Sequence, residues 1–379
     1  MTGYRQSMVF ALEDAFGEGP GDNKWISPPP NTQFQSTHTR GTSLYTAMGT
    51  KTWEVVTYGQ FQGQWSWTFI LDYEYLEPFY LAFDKYSYDS ATKTHTFSKC
   101  NAKRVRSFCI RRKILNTVAG GPMDETEILT GCVVSDIQFS RSAGNGSQIQ
   151  VSMSGLYSNE KMDNTSLEAT DYSAYDGDPV EYACLYKGGL DGEHISFVDQ
   201  LSIGIGNSVS MVYGVCTPFP LNYSEGSSNY SIAMSAYAND PTRFKKPLYS
   251  GGYDNRASRP WAKDMKPMEK LTVIAYDKSR FNEYFDEQTG ELLPAYANME
   301  EAIEDSDKTV TFTIEKVILK SLTWASGDGS KLMDSISGTN ARKVKMEVMN
   351  KDHDAELNLK TGGWHPLRTD GSEFDPCDL

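Results

Sequence analysis

The residues able to do acid–base or nucleophilic chemistry are scattered along this chain and form no recognised motif. None of its five histidines lies in an HExxH sequence or near a GxSxG sequence; they are His38, His95, His194, His353 and His365. A catalytic triad is recognised by geometry and not by order along the chain, so distant residues could still assemble one. Lone histidines in loops are usually solvated, however, and the sequence predicts a protein that is not an enzyme.

Two groups of acidic residues carry the oxygen ligands that a hard cation prefers. The first group, Asp352, Asp354 and Glu356, alternates along the chain and would share one face of a strand. The second group crowds one segment and consists of Asp171, Asp176, Asp178 and Glu181. Neither spacing matches an EF-hand loop, and alternating charges also protect an exposed strand from unwanted pairing. A solvated acidic edge is the favoured interpretation, and no metal, cofactor or site residue is predicted.

Glycines and cysteines add no nucleotide or zinc signature. Gly204-Ile205-Gly206 is a fragment of a dinucleotide-binding fingerprint without the third glycine or a following helix, which favours a close turn at a strand end. No P-loop sequence is present. No two cysteines are spaced as CxxC, so free and mostly buried thiols are predicted at positions 100, 109, 132, 184, 216 and 377.

Positive charge is concentrated in two runs, at 103–106 and 111–113, in a chain whose formal net charge is −14. DNA contact is one interpretation of these runs. Contact with an acidic patch on another copy of the chain is preferred, because complementary charge fixes register and suppresses wrong partners. An acidic surface also repels phosphate, which disfavours a protein that reads nucleic acid.

Three tryptophans, Trp53, Trp65 and Trp67, have two possible uses. They could stack on sugars in a lectin-like groove, which makes a carbohydrate-binding β-sandwich the alternative function. Filling a core is the more common use of alternating aromatic residues. A hydrolase on a β scaffold ranks last, because the sequence offers no nucleophile, acid or metal to name.

The elements that hold these residues are predicted to be mainly strands. In residues 65–73 every odd position is large and apolar or aromatic, which is the two-residue period of a strand with one buried face. Glycines at 144 and 146 predict a hairpin between strands at 133–139 and 149–153. The same alternation recurs at 201–205, 232–236, 271–275, 310–314 and 344–348. With short helices at 76–83, 281–286 and 298–304, the pattern is typical of an antiparallel β-sandwich or barrel.

Composition divides the chain into five segments. Residues 1–50, rich in Gly, Pro and Thr, are predicted to form an extended arm or long loop that buries little of itself. Two β-rich halves at 51–158 and 194–350 flank an acidic linker or surface excursion at 159–193, and residues 351–379 form a C-terminal tail. No signal-peptide or membrane-span pattern occurs, so synthesis in the cytoplasm and no membrane partner are expected.

Several stretches follow the order of one known family. They are the N-terminal stretch at 3–20, with Gly-Tyr-Arg-Gln and Phe-Gly-Glu-Gly-Pro, a strand and helix at 60–79, a hairpin at 131–139 and 149–155, and later strands at 198–207 and 310–324. Together they resemble the tail tube proteins of tailed bacteriophages and archaeal tailed viruses. Each motif is short, and none carries an active-site signature.

The resemblance implies a structural virion protein that assembles into stacked rings, six-fold or, where each chain carries two tube domains, three-fold. Strand edges of neighbouring copies would pair into an inner β-barrel through which viral DNA passes without specific binding. The N-terminal arm would clasp an adjacent ring, and acidic residues would line the bore. The implied partners are copies of the chain, a tail terminator and a tape measure protein, in a virion tail assembled in the host cytoplasm.

Overall fold

A computed structural model of the 379-residue chain describes most of its β-rich segments. The described residues are 5–21, 25–29, 32–45, 55–73, 75–99, 105–115, 125–141, 148–162, 182–188, 194–215, 217–237, 268–277, 294–295, 307–325, 333–339, 343–351 and 357. They form eighteen strands and one helix, α1 (Glu77–Ala82).

The strands carry the following bounds in chain order. They are β1 Arg5–Leu12, β2 Gln33–Tyr45, β3 Val55–Ile70, β4 Lys85–Asp89, β5 Thr94–Lys99, β6 Phe108–Leu115, β7 Glu125–Arg141, β8 Gln150–Tyr157, β9 Asn159–Met162, β10 Tyr182–Gly188, β11 His194–Gly206, β12 Val209–Tyr213, β13 Pro220–Glu225, β14 Asn229–Tyr237, β15 Met268–Asp277, β16 Lys308–Ala325, β17 Met333–Thr339 and β18 Lys343–Asn350. The prediction of a mainly β fold is confirmed.

Alternation of apolar and polar residues produces these strands as predicted. In β3 the side chains of Trp65, Trp67 and Phe69 are buried, whereas the residues between them face outward. The predicted hairpin is present, since β7 and β8 pair through Phe139↔Val151, and its turn at 142–147 lies outside the described residues. Burying each of the three large side chains of β3 stabilises the fold by about 1.5–3 kcal/mol. The five later alternating stretches lie in β11, β14, β15, β16 and β18.

All described ladders are antiparallel, and sixteen of the strands join in one sheet. Its main path runs β2-β3-β8-β7-β11-β10-β15-β16-β18-β5-β4, while β12 and β13 form a separate two-stranded sheet. Three long strands change partner along their length. In β7, for example, the first half pairs with β6 and β9 and the second half with β8 and β11.

Part of the sheet closes on itself. The ladders connect β11 to β14, β14 to β17, β17 to β16, β16 to β15, β15 to β10, and β10 back to β11. Closing a sheet removes the free edges that its strands would otherwise present. The free edges among the described strands therefore lie elsewhere, and the longest belongs to β2 at the end of the main path.

Helix α1 packs into an aromatic core beneath the sheet. The ring centroid of Phe79 lies 5.9 Å from that of Phe69 in β3, 5.8 Å from Phe97 in β5 and 5.7 Å from Phe139 in β7. Phe139 in turn lies 4.9 Å from Phe312 in β16. One helix thus joins strands that are far apart along the chain into a common core.

The helix predicted at 76–83 is confirmed as α1, which starts with a proline in its first turn, where no amide donor is needed. The helices predicted at 281–286 and 298–304 lie outside the described residues. Within the described ranges, no helix combines the length and apolar composition required to cross a membrane.

The prediction that residues 1–50 bury little of themselves is wrong for residues 8–11. Strand β1 pairs with β6 along its whole length, and residues 8–11 are buried. Phe10 packs edge-on against Trp67, with 5.2 Å between the ring centroids. A strand that is buried on both faces has a continuous run of apolar residues without alternation. The two-residue period that marks a strand in the sequence is therefore missing from β1.

Strands also occur inside the segment 159–193, which the sequence analysis treats as a linker or surface excursion. Strand β9 pairs with β7, and β10 lies between β11 and β15. The two predicted β-rich halves share one sheet, because β7 pairs with β11 and β5 pairs with β18. The division of the chain into domains remains a prediction.

Candidate assembly surfaces

The hairpin formed by β2 and β3 projects beyond the rest of the sheet. Its two strands pair from Gln33↔Thr68 as far as Tyr45↔Val55, whereas β8 pairs with β3 only between Gly63 and Ile70. Among the described strands, the distal hairpin, residues 40–45 and 55–60, therefore forms ladders only with itself. At about 3.3 Å per residue, it extends about 20 Å.

The distal hairpin exposes large apolar side chains. Leu44, Tyr45 and Tyr58 have exposed fractions of 58%, 55% and 63%. The Arg40 guanidinium lies 5.1 Å from the Tyr58 ring centroid, and its Nε donates a hydrogen bond to the Gly59 carbonyl. An isolated two-stranded hairpin is only marginally stable in water, so a second surface packed against it would stabilise it.

A second exposed apolar patch lies on the small sheet of β12 and β13. Its exposed side chains are Val212, Val215, Phe219 and Leu221. The small sheet also braces the base of the hairpin: the Phe61 amide donates a hydrogen bond to the Pro218 carbonyl at 2.8 Å, and the Tyr213 hydroxyl donates one to the Phe61 carbonyl at 2.6 Å. Two hydrogen bonds thus join the base of the hairpin directly to the small sheet.

The face of the sheet opposite the aromatic core carries neutral polar side chains, and we call it the polar face. It crosses six neighbouring strands in the order β2, β3, β8, β7, β11 and β14, or about 24 Å. Two half-buried apolar residues, Ile70 and Leu156, also lie on this face. Its other residues are Gln33, Gln35, Thr37, Gln62, Gln64, Ser66, Thr68, Gln150, Ser152, Ser154, Asp136, Gln138, Ser140, Gln200, Ser202, Gly204, Gly206, Asn229, Ser231, Ala233 and Ser235. In this set Asp136 is the one ionisable residue.

A groove of about 430 Å³ runs along the polar face. The side chains that line it include Gln35, Gln64, Ser66, Asp136 and Ser154. Burial raises the pKa of the Asp136 carboxyl above its ordinary value. The groove thus offers amides, hydroxyls and one carboxyl beside the half-buried Leu156, and no cation among its lining residues.

The described members of the basic runs make contacts within the chain, and the intersubunit contact expected of these runs remains a prediction. Arg106 is the first of these members. Its side chain is held inside the chain, where Nη1 donates hydrogen bonds to the carbonyl oxygens of Tyr80 at 2.7 Å and Phe83 at 2.9 Å. The guanidinium carbon lies 3.6 Å from the Tyr80 ring centroid. Burial lowers the pKa of Arg106.

Arg111 and Arg112 in the second run also make contacts within the chain. Arg111 is buried, with its guanidinium 5.6 Å from the ring centroid of Trp25, and Arg112 forms an ion pair with Glu127. These charges serve contacts within the chain. Residues 103 and 104, the rest of the first run, lie outside the described part.

Core filling, the preferred use of the three tryptophans, is confirmed for two of them, and the alternative use as a sugar-binding platform is wrong for those two. Trp65 and Trp67 are 3% and 0% exposed. The Trp65 indole donates a hydrogen bond to the Leu156 carbonyl at 3.1 Å, and the Trp67 indole donates one to the Thr32 hydroxyl at 3.3 Å. Neither ring is open to a sugar. Trp53 falls in a segment that the structure does not describe.

Among the described residues, the remaining chemical candidates do not converge on a reactive site. His95 is buried, with Nδ1 3.0 Å from the Tyr86 hydroxyl. The glycine pair at 204 and 206 ends β11, and Ser208 follows with φ of +48°, as expected of a turn at a strand end. The described residues contain no group of three or more histidine, cysteine or acidic side chains that could hold a metal. Both acidic clusters lie outside the described residues, and so do His353, His365 and the side chain of His194.

Ionisable side chains from five strands meet at the base of the hairpin. His38 Nδ1 lies 3.0 Å from Glu160 Oε2, to which the Tyr157 hydroxyl also donates a hydrogen bond at 2.9 Å. Glu160 and Glu127 are hydrogen-bonded to each other, and Arg112 pairs with Glu127. Burial raises the pKa of Glu127; for Glu160, hydrogen bonds from Glu127 and Tyr157 outweigh burial and lower the pKa. This cluster fastens the hairpin to β6, β7, β8 and β9.

A buried ion network fastens the small sheet. Lys99 is fully buried, and its Nζ lies 2.6 Å from Asp84 Oδ1 and 3.0 Å from Glu225 Oε1. The second oxygen of Glu225 accepts a hydrogen bond from the Val105 amide at 3.0 Å. Removing one partner of such a network leaves a buried charge uncompensated, which commonly costs about 3–5 kcal/mol. The network is a structural contact between β13 and the main sheet.

The chain matches no protein-family model, and none of the curated proteins compared with it matches. The resemblance to tail tube proteins remains a prediction.

Neither the distal hairpin nor the polar face is evident from the sequence alone. The hairpin had a signal in its Thr- and Ser-rich stretch at 36–43, which ends in the apolar Leu44 and Tyr45. The polar face had one in the repeated Ser and Gln at the outward positions of β3, β7 and β8. Neither signal specifies an interaction until the strand register is known.

Proposed function

We propose that this chain is a structural subunit that assembles with copies of itself into stacked rings, the tail tube through which a tailed virus passes its DNA. The observation that carries the proposal is the distal hairpin, which extends from the sheet and exposes Leu44, Tyr45 and Tyr58. An exposed strand pair with apolar side chains is a template for association. The virion tail location and the tail terminator and tape measure partners belong to the same proposal.

A contact between the hairpin of one copy and a different surface of the next is head-to-tail. Repeated head-to-tail contacts close into rings or continue as open filaments. The exposed patch of β12 and β13 is an apolar surface that such a contact would cover. Both requirements of a stacked-ring assembly, a projecting element and a second apolar surface, are therefore present on one chain.

The energy of a single hairpin contact is modest. Burying three large side chains yields about 5–9 kcal/mol at about 1.5–3 kcal/mol each. Association of two molecules costs about 4–15 kcal/mol in lost translational and rotational freedom. One contact alone barely offsets that cost, whereas a closed ring makes each added contact partly intramolecular. We therefore expect cooperative assembly with few partial rings.

The test compares the wild-type chain with the double variant Leu44→Ser/Tyr58→Ser. The wild-type chain should sediment as large particles and show rings or hollow tubes in negative stain. The double variant should sediment as a monomer with an unchanged far-ultraviolet circular dichroism spectrum. Met162→Ser is the matched control, because Met162 in β9 is 64% exposed and lies outside the hairpin. A wild-type chain that stays monomeric at high concentration, or a double variant that assembles equally well, would contradict the proposal.

A further inference from the structure

We propose that the polar face is the wall of the channel, and that duplex DNA passes along it because its described residues offer no cation and a single carboxylate. This inference rests on the proposed tube and adds the surface that the moving polymer contacts. The central row of the face crosses five strands through Thr68, Ser152, Gln138, Gly204 and Ser231, which the ladders place side by side.

A surface that serves solubility alone would carry a different composition. Solvent-facing strands usually carry interspersed charges, which keep a protein soluble and prevent sheet-to-sheet association. Charged residues make up 23% of this chain, yet the polar face holds Asp136 as its one charged side chain. Two of the outward side chains pair with each other, since the Gln138 amide donates a hydrogen bond to the Ser202 hydroxyl at 2.9 Å.

The composition also argues against three other occupants. Contact surfaces between proteins are enriched in aromatic residues, Met and Arg and depleted in Ser. A surface that grips nucleic acid needs Lys or Arg to neutralise phosphates. A sugar site needs an aromatic platform, and Trp65, the indole that lines the groove, is only 3% exposed. A polyanion that must pass without being held remains the occupant that fits.

The physical advantage of such a wall is the lack of fixed charge along the path. A lysine or arginine would hold each passing phosphate by releasing counterions from the DNA. Hydroxyl and amide groups exchange hydrogen bonds with water at little net free energy, so a passing phosphate meets no deep minimum. This neutral wall differs from the acidic bore that the family resemblance implies.

The first experiment measures thiol labelling of Ser66→Cys before and after assembly. In the unassembled chain, the introduced thiol should react with a small maleimide and with a maleimide joined to a large polymer. In tubes, reaction with the small reagent should continue through the open ends, whereas reaction with the polymer reagent should be lost. Reaction with both reagents would place the face outside, and reaction with neither would place it between copies; either result overturns the inference. A wild-type chain that forms no tubes would overturn the proposed function itself.

The second experiment adds positive charge to the wall. Tubes of Ser66→Lys/Gln138→Lys, assembled with linear duplex DNA, should retain the DNA, and retention should weaken with a log–log salt slope steeper by about one for each added lysine. Ser87→Lys is the matched control, because Ser87 is an exposed serine on β4, away from the polar face. Tubes of this control should release DNA as wild-type tubes do. Equal release from the double lysine variant would overturn the inference.

Discussion

At the scale of single residues, a buried carboxyl links the fold to pH. Glu13 follows β1, and its two oxygens accept hydrogen bonds from the Gly131 amide at 2.8 Å and the Gly17 amide at 3.0 Å. Burial outweighs these hydrogen bonds and raises the pKa of Glu13 from 4.5 to about 7. Below about pH 7, the folded chain therefore holds Glu13 mainly in its protonated form.

The stability of the fold should therefore fall as pH rises through this range. Between pH 4.5 and about 7, unfolded chains have released the Glu13 proton and folded chains still hold it. Because the unfolded state binds fewer protons there, the free energy of unfolding decreases with pH, by about 3 kcal/mol over the full window. Below pH 4.5 the stabilising contribution of the buried, protonated Glu13 is fully present, and above about pH 7 it is lost. Urea denaturation of unassembled chains at a series of pH values measures this slope.

Glu13→Gln isolates this contribution, because an amide does not titrate in the window. The free energy of unfolding of the variant should therefore fall less with rising pH than that of the wild-type chain, because the Glu13 contribution is missing. Asp14→Asn is the control, since Asp14 is the neighbouring acid and is exposed. Equal slopes for Glu13→Gln and the wild-type chain would show that this carboxyl titrates alike in both states.

At the scale of elements, close approach of backbone fixes the packing of β3, β7 and β8. Gly155 in β8 pairs with Val134 in β7 and Trp65 in β3. A Cβ atom at Gly155 would lie 2.7 Å from the Trp65 ring and closer still to the Val133 carbonyl oxygen. A backbone carbonyl within a ladder cannot move aside without breaking its hydrogen bond, so the position excludes every larger residue.

Gly155→Ala should therefore destabilise the fold by about 1–3 kcal/mol or more. The matched control is Gly41→Ala in β2, where a Cβ atom would meet nothing within 4 Å. That change should stay within about 0.5 kcal/mol of the wild-type chain. The urea midpoint of unfolding measures both, and equal midpoints for the two variants would contradict the packing argument.

The elements also show how far the sequence predicts this structure. Strand β3, the β7–β8 hairpin and α1 can be predicted from local patterns. Each contains either a two-residue alternation or a proline, and both signals depend only on residues close together in the sequence. Strand β1 cannot be predicted in this way, since burial on both faces removes the alternation. The polar face could not be predicted, because it depends on the register between residues as distant as Thr68 and Ser231. The buried partners of Arg106 and Lys99 depend on the same long-range contacts.

At the scale of the whole molecule, net charge and apolar surface act on assembly in opposite directions. Each chain carries a formal net charge of −14, so copies repel one another as they approach. The distal hairpin exposes apolar side chains, which favour association. Screening lowers the repulsion, since the Debye length shortens from about 30 Å at 0.01 M salt to about 8 Å at 0.15 M. The apolar contribution is not screened in this way.

Added salt should therefore promote assembly of the wild-type chain. The protein concentration at which large particles first sediment should fall as ionic strength rises between these two values. Leu44→Ser/Tyr58→Ser is the control, because screening lowers repulsion but cannot replace the apolar contact, and it should stay monomeric at every salt concentration. Tubes that dissolve on addition of salt would point to ion pairs between copies as the main contact. That result would contradict the assignment of assembly to the apolar hairpin, even in a chain that forms tubes.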